Sequence, residues 1–276
     1  ARENRKQFNW TEQIINKPKK PGITILENYS LDEIRKFINW TEFFLAWEMK
    51  GRFPKIFENE KYGEEAKKLF KEANELLDLI IEKGLLKANA VLGLFPANTV
   101  GFDDVEVYSE NNKILETFHF LRQQWKKQYG IPNYSLADFI APNTSGITDY
   151  IGCFALTAGI GAKELTSEFS KNNDEYSSIL VKIIADRLAE AFAELLHYRV
   201  RTEYWGYSEN EELKFSCHSE RSEESRKTSS IPQPSGFFAL LRMTEENEQI
   251  NDSTNQQINI ITTIDLSFNY PGIRPA

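Results

Sequence analysis

The sequence predicts a fold that mixes α-helices with short β-strands. Two long stretches with apolar residues at helical spacing carry one half of that prediction, and several short apolar runs between turn residues carry the other. A length of 276 residues suffices for one large domain or two small ones. With 41% hydrophobic and 27% charged residues, the composition is that of a chain able to bury a sizeable core.

Residues 1–29 read as a linker or N-terminal extension, polar and carrying Lys17-Pro-Lys-Lys-Pro-Gly22 as a turn-rich signal. Ser30 and Glu33 then make a capping-box pattern, in which each side chain can meet the other's free backbone N–H. The helix they open carries Ile34, Phe37, Ile38, Phe44 and Trp47 and is expected to run to about Gly51. Residues 63–83 form the cleanest helix: Ala66, Leu69, Phe70, Ala73, Leu76, Leu77 and Ile80 recur at steps of three and four, and Gly84 is a stop.

Strands are expected at 89–95 and 105–108, with a loop between them indicated by Pro96, Asn98 and Gly101. Residues 136–140 and 150–157 read as further strands. A long amphipathic helix follows from Ser177 to about Trp205. Ile179, Ile183, Ile184, Leu188, Phe192 and Leu195 supply its apolar stripe, while Asp186, Glu190, Glu194 and His197 recur on another face.

After Leu213 the character changes to Ser-rich, charged and then Asn/Gln-rich text without periodicity. Such composition does not bury enough apolar area to offset its ordering entropy. Residues 214–264 are therefore expected to be a mostly disordered insertion, and the apolar patch at 237–241 an aggregation risk rather than a core.

A net charge of −8 argues against a general nucleic-acid binder, which needs a basic face for phosphates. Cys153 and Cys217 form no disulfide framework, which fits a reducing cytoplasm. No apolar run approaches the roughly 20 residues of a membrane helix, and no signal core follows the N-terminus. The first residue, Ala1, and the abrupt end at Ala276 suit a piece of something longer.

Eight segments together resemble the reactivation domain of cobalamin-dependent methionine synthase. They are Ile38-Asn-Trp-Thr-Glu-Phe-Phe44, Gly93-Leu-Phe-Pro-Ala-Asn98, Asp103-Asp-Val-Glu-Val-Tyr108, Leu136-Ala-Asp-Phe-Ile-Ala-Pro142, Asp149-Tyr-Ile-Gly152, the run 185–194, Tyr204-Trp-Gly-Tyr207 and Gly272-Ile-Arg-Pro-Ala276. They stand in the family's order at similar spacing, over 30–213 and again from about Asn269. The resemblance implies a single C-shaped α+β domain, a twisted antiparallel sheet surrounded by helices. Residues 265–276 would begin the ligand-binding loop.

The family's parent enzyme moves a methyl group from methyltetrahydrofolate to homocysteine through a corrin. The resemblance implies that this module binds S-adenosylmethionine when the cobalamin has been oxidised. Flavodoxin or an equivalent reductase then supplies one electron, and the methyl group passes to cobalt. Cobalamin and zinc would bind only to other domains, so the implied partners are the cobalamin-binding domain of the same enzyme and the reductase. No catalytic residue is expected in the module itself.

S-adenosylmethionine asks for anionic or acceptor groups for its cationic parts and a guanidinium for its carboxylate. The positions matching the family's pattern are Asn39, Glu190, Arg274 and Ala276. On the residues alone, Glu190 between two alanines is an ordinary solvated face residue; the resemblance makes it a ligand contact. Asp186, one turn earlier, contacts the ligand or the corrin-bearing neighbour, or forms a structural salt bridge. Asn39 stands where the family usually has Asp. The lost charge implies weaker binding unless Glu42 or Glu48 compensates. Arg274 suits a bidentate carboxylate clamp, but the family's following Pro-Gly-Tyr-Pro lies beyond the chain, so binding is expected to be weak or unmeasurable.

Other motifs are weaker. Asn98 with Gly101, Asp103 and Asp104 looks catalytic in isolation, but a loop shaped by Asn and Gly is the commoner explanation. His119, His197 and His218 show no zinc spacing. Cys153 reads as a small buried residue. Gly159 and Gly161 lack a third glycine and the helix-opening context of a phosphate loop. The rival to a reactivation module is a truncated remnant without ligand binding.

Overall fold

A computed structural model describes residues 1–12 and 15–212, together with the backbone of 239–242 and 261–265. It shows one open antiparallel sheet with helices packed on it. The strands are β1 (Gly22–Leu26), β2 (Lys87–Val100), β3 (Asp104–Tyr108), β4 (Ile114–His119), β5 (Asp149–Ile160), β6 (Ala239–Arg242) and β7 (Ile261–Asp265). Their order is β4-β3-β2-β5-β7-β6, with β1 also paired to β2. The helices are α1 (Leu31–Ile34), α2 (Trp40–Ala46), α3 (Gly63–Lys83), α4 (Ala162–Lys171) and α5 (Glu175–Arg199). No described helix is long and apolar enough to cross a membrane.

Several elements depart from the sequence reading. The helix expected to run to Gly51 is two short helices joined by a 3-10 turn at Arg35–Phe37. Ile38 is extended, and Asn39 starts α2 afresh by accepting hydrogen bonds from the Thr41 and Glu42 N–H groups. An Asn that satisfies free N–H donors at a helix start opens a new helix more readily than it continues the old one.

The loop expected at 95–104 is mostly strand. β2 runs through Phe95, Pro96 and Asn98 to Val100, pairing with β5 along one side. On its other side β1 stops at Leu94 and β3 begins at Ala97, so Pro96 falls in the gap where no ladder needs its N–H.

Residues 136–139 form a 3-10 turn rather than a strand, because Asp138 turns back to accept the Ser135 N–H at 3.0 Å. The N-terminal stretch read as a linker contributes β1, where Ile23, Thr24 and Ile25 favour an extended strand.

Two further strands lie within the stretch expected to be an insertion. β7 pairs with β5 and β6 pairs with β7. The rest of 214–264, including Cys217, His218 and Phe237, lies outside the described residues.

The main core sits between the sheet and the helices. It joins Leu77 and Ile80 of α3 and Leu92 and Leu94 of β2 to Leu188, Phe192 and Leu196 of α5. Each such side chain contributes roughly 1.5–3 kcal/mol by leaving water. A smaller cluster under the β2–β3 end gathers Ala97, Val105, Val107, Ala137, Ile140 and Ile151.

Gly84 closes α3 with a left-handed φ of 59°, as read from the sequence. Gly161 leads into α4, and a Cβ there would lie 2.4 Å from the Leu85 carbonyl oxygen. That close approach accounts for this glycine without a phosphate ligand.

Candidate functional site

The region around Asn39 is held by aromatic packing. Asn39 caps α2 with its Oδ1, 3.1 Å from the Thr41 N and 3.4 Å from the Glu42 N. One turn on, Phe43 and Phe44 are buried in a group of rings with Trp40, Phe53, Phe57 and Phe70. Trp40 meets Phe70 edge-on at 4.6 Å, and Phe53 stacks on Phe70 at 5.3 Å. These contacts fix the start of α2 more firmly than a seven-residue helix could fix itself.

The α1–α2 segment and the turn within it pack on α5. Phe192 of α5 lies 4.9 Å from the Tyr29 ring, and Arg199 pairs with Glu33 at 3.0 Å. Asn39 and Glu190 thus stand on elements that pack together.

α5 itself is buried on most of its circumference. Ile184, Leu188, Ala191, Leu195 and Leu196 all face the core. Ile179, read as part of the apolar stripe, is 46% exposed, whereas His197, placed on the polar face by its spacing, is buried. With so wide an apolar arc, only a narrow polar strip remains. Asp186 and Glu190 lie on it, their side chains 38% and 31% exposed.

Between them is a residue that the sequence reading passed over. Arg187 is 9% exposed. Its guanidinium forks onto Glu190, with Nη1 2.7 Å from Oε2 and Nη2 3.1 Å from Oε1. Nη2 also donates to the Asp186 carboxylate. The available signal was the spacing Asp186-Arg187-x-x-Glu190, in which a cation enters the apolar arc one turn from each acid. Two partly exposed carboxylates around one buried cation leave a net negative patch. The donor set therefore fits the cationic parts of a small ligand.

Arg274 and Ala276 lie outside the described residues. Glu42 and Glu48 are both exposed, near the start and end of α2.

The other candidate residues have structural partners. Asn98 Nδ2 donates to the carbonyls of Ala141 at 2.9 Å and Ile147 at 2.7 Å, so it fastens the following loop to β2. Asp103 accepts from Arg122 and Arg2, each at 2.7 Å, and that pairing holds its carboxyl below the usual range despite burial. His119 meets Asp104 at 2.7 Å on the surface. Cys153 is half-buried opposite Gly93, and burial pushes its thiol up. Among the described residues no cluster of three His, Cys, Asp or Glu side chains is placed to hold a metal ion.

Residues 30–250 match the family model described as the activation domain of vitamin B12 dependent methionine synthase. Among solved structures, the chain is similar to one described as a MetH reactivation domain bound to AdoHcy. The two are 44% identical and superpose with a TM-score of 0.76, over 81% of this chain and 68% of the other.

Proposed function

The chain belongs to the vitamin B12 dependent methionine synthase activation domains, and from that premise we propose that it binds S-adenosylmethionine for reductive remethylation of the enzyme's cobalamin. The observation that carries the proposal is the 44% identity to a reactivation domain bound to AdoHcy, the demethylated form of that ligand. Glu190 holds a cationic part of the ligand, Arg274 its carboxylate, and Asn39 and the Ala276 backbone complete the contacts. Asp186 contacts the ligand or the cobalamin-bearing neighbour.

S-adenosylmethionine supplies a methyl group from its sulfonium when bound. The protein's task is to position it. The packed start of α2 and the buried body of α5 allow that, since neither element has to be ordered when the ligand arrives. The cobalamin-binding domain of the same enzyme is the partner that faces this site, and flavodoxin or an equivalent reductase is the electron donor.

Asn39 sets the affinity. Its Oδ1 accepts the two N–H groups of the α2 cap, which leaves the amide NH2 as the part of the side chain able to meet a ligand. That group donates and carries no charge. A neutral hydrogen bond is worth about 1 kcal/mol against roughly 1.5–3 for a charged one, so the chain binds its ligand weakly.

Ligand-dependent melting tests the proposal, because any ligand that binds only the folded chain stabilises it by mass action. Millimolar S-adenosylmethionine or AdoHcy should raise the melting temperature, and Glu190→Gln should reduce the rise. No rise with either ligand would reject the proposal.

A further inference from the structure

Arg187 differs from the other buried arginine of the chain in what it binds. Arg122 spends all five of its N–H groups on the fold: on Asp103, Asp138 and the carbonyls of Asn133 and Phe102. Arg187 has as its acceptors the carboxylates of Asp186 and Glu190, both of which reach the surface. Its Nε–H is buried with no acceptor among the described residues. A guanidinium placed only to stabilise the interior would have that donor satisfied, since an unmet buried N–H is costly.

Resting on the ligand site proposed above, we propose that Arg187 is a positioning residue for that site, which fixes the Glu190 carboxylate and sets the charge that the ligand meets. Two effects follow from the geometry. The fork onto both Glu190 oxygens holds a flexible side chain in one rotamer before the ligand arrives, so less freedom is lost on binding. The cation also offsets one of the two carboxylates, leaving a net single negative charge on the patch. S-adenosylmethionine carries a sulfonium, an ammonium and a carboxylate, a net single positive charge. AdoHcy lacks the sulfonium and is neutral overall. Arg187 thus tunes how strongly the site prefers the charged ligand over the neutral one.

The test is calorimetric or melting-based titration of the chain and its Arg187→Met variant with both ligands. Removing the fork should weaken AdoHcy binding about ten-fold, the scale of one charged hydrogen bond. S-adenosylmethionine should lose less, because the uncovered acid attracts its charge. The ratio of the two affinities should therefore move about three-fold or more toward S-adenosylmethionine. A purely structural role would lower the melting temperature without moving that ratio.

If Arg187→Met has no cooperative melt, Arg187→Lys decides. It keeps the charge and loses the fork, so both affinities should fall several-fold with their ratio unchanged. A folded variant that binds both ligands like the unaltered chain overturns the positioning role. An unaltered chain that binds neither ligand overturns the ligand site itself.

Discussion

Arg122 grips Asp138 from both sides of its carboxylate, with Nη1 2.6 Å from Oδ2 and Nη2 2.6 Å from Oδ1. The side chains are 1% and 2% exposed. The pair joins β3–β4 to the 136–139 turn, because Arg122 also binds Asp103 and the Phe102 carbonyl while Asp138 caps Ser135. Arg122→Leu leaves Asp138 buried without its cation. The expected cost is about 3–5 kcal/mol, read as a lower urea midpoint. A change below about 1 kcal/mol would mean that water takes the place of the guanidinium.

Asp149 makes stability depend on pH in the less common direction. Burial raises its pKa from 3.8 to about 6, against the pull of the Ala141 and Tyr150 N–H groups that its oxygens accept. The folded state therefore holds this proton more tightly than the unfolded state. The contribution is fully present below the unfolded value and is lost as pH rises through about 6, a change of roughly 3 kcal/mol. Asp149→Asn should remove that trend. Denaturation series across this window would show the stability of the unaltered chain falling relative to the variant as pH rises, and parallel curves would refute it.

His197 acts in the opposite sense. Burial, with a smaller contribution from Arg201, lowers its pKa from 6.5 to about 4. Its stabilising contribution is present above the unfolded value and is lost as pH falls through about 4. The ring sits edge-on to Phe154 at 4.9 Å, so His197→Phe keeps the packing and removes the titration. The variant should resist acid better than the unaltered chain. Equal acid midpoints would show that the ring is not buried in its neutral form.

Much of the fold was legible because several elements obey a single local rule. The 63–83 helix has an uninterrupted apolar period and a glycine stop, and β5 is a run of apolar and small residues. The misread elements are those in which a local signal was overruled from a distance. Pro96 signals a loop, yet it fits β2 because two other strands leave a gap beside it. His197 follows the spacing of the polar face, but the core covers nearly the whole circumference of α5. Asn39 and Glu190 were named through family resemblance. Arg187 was missed because its meaning lies in being buried between two acids, which spacing alone does not reveal.

The Asn39 cap separates two effects of Asn39→Asp. A carboxylate at the α2 start also meets the helix dipole, so the free chain should gain about 0.3–1 kcal/mol of stability. One oxygen can cap while the other faces the ligand, so affinity for S-adenosylmethionine should rise by about 1 kcal/mol as well. That second gain should shrink in the presence of Glu190→Gln, because groups that share one ligand couple. Strictly additive effects would place the two residues at different sites.

The claim that one ligand is held between the start of α2 and the polar strip of α5 is tested most directly by a crystal structure of the chain with AdoHcy. The ligand is expected within hydrogen-bond distance of both the Asn39 amide and the Glu190 carboxylate, with Arg187 still forked onto Glu190. A ligand bound elsewhere on the chain, with Asn39 and Glu190 both out of reach, would contradict it.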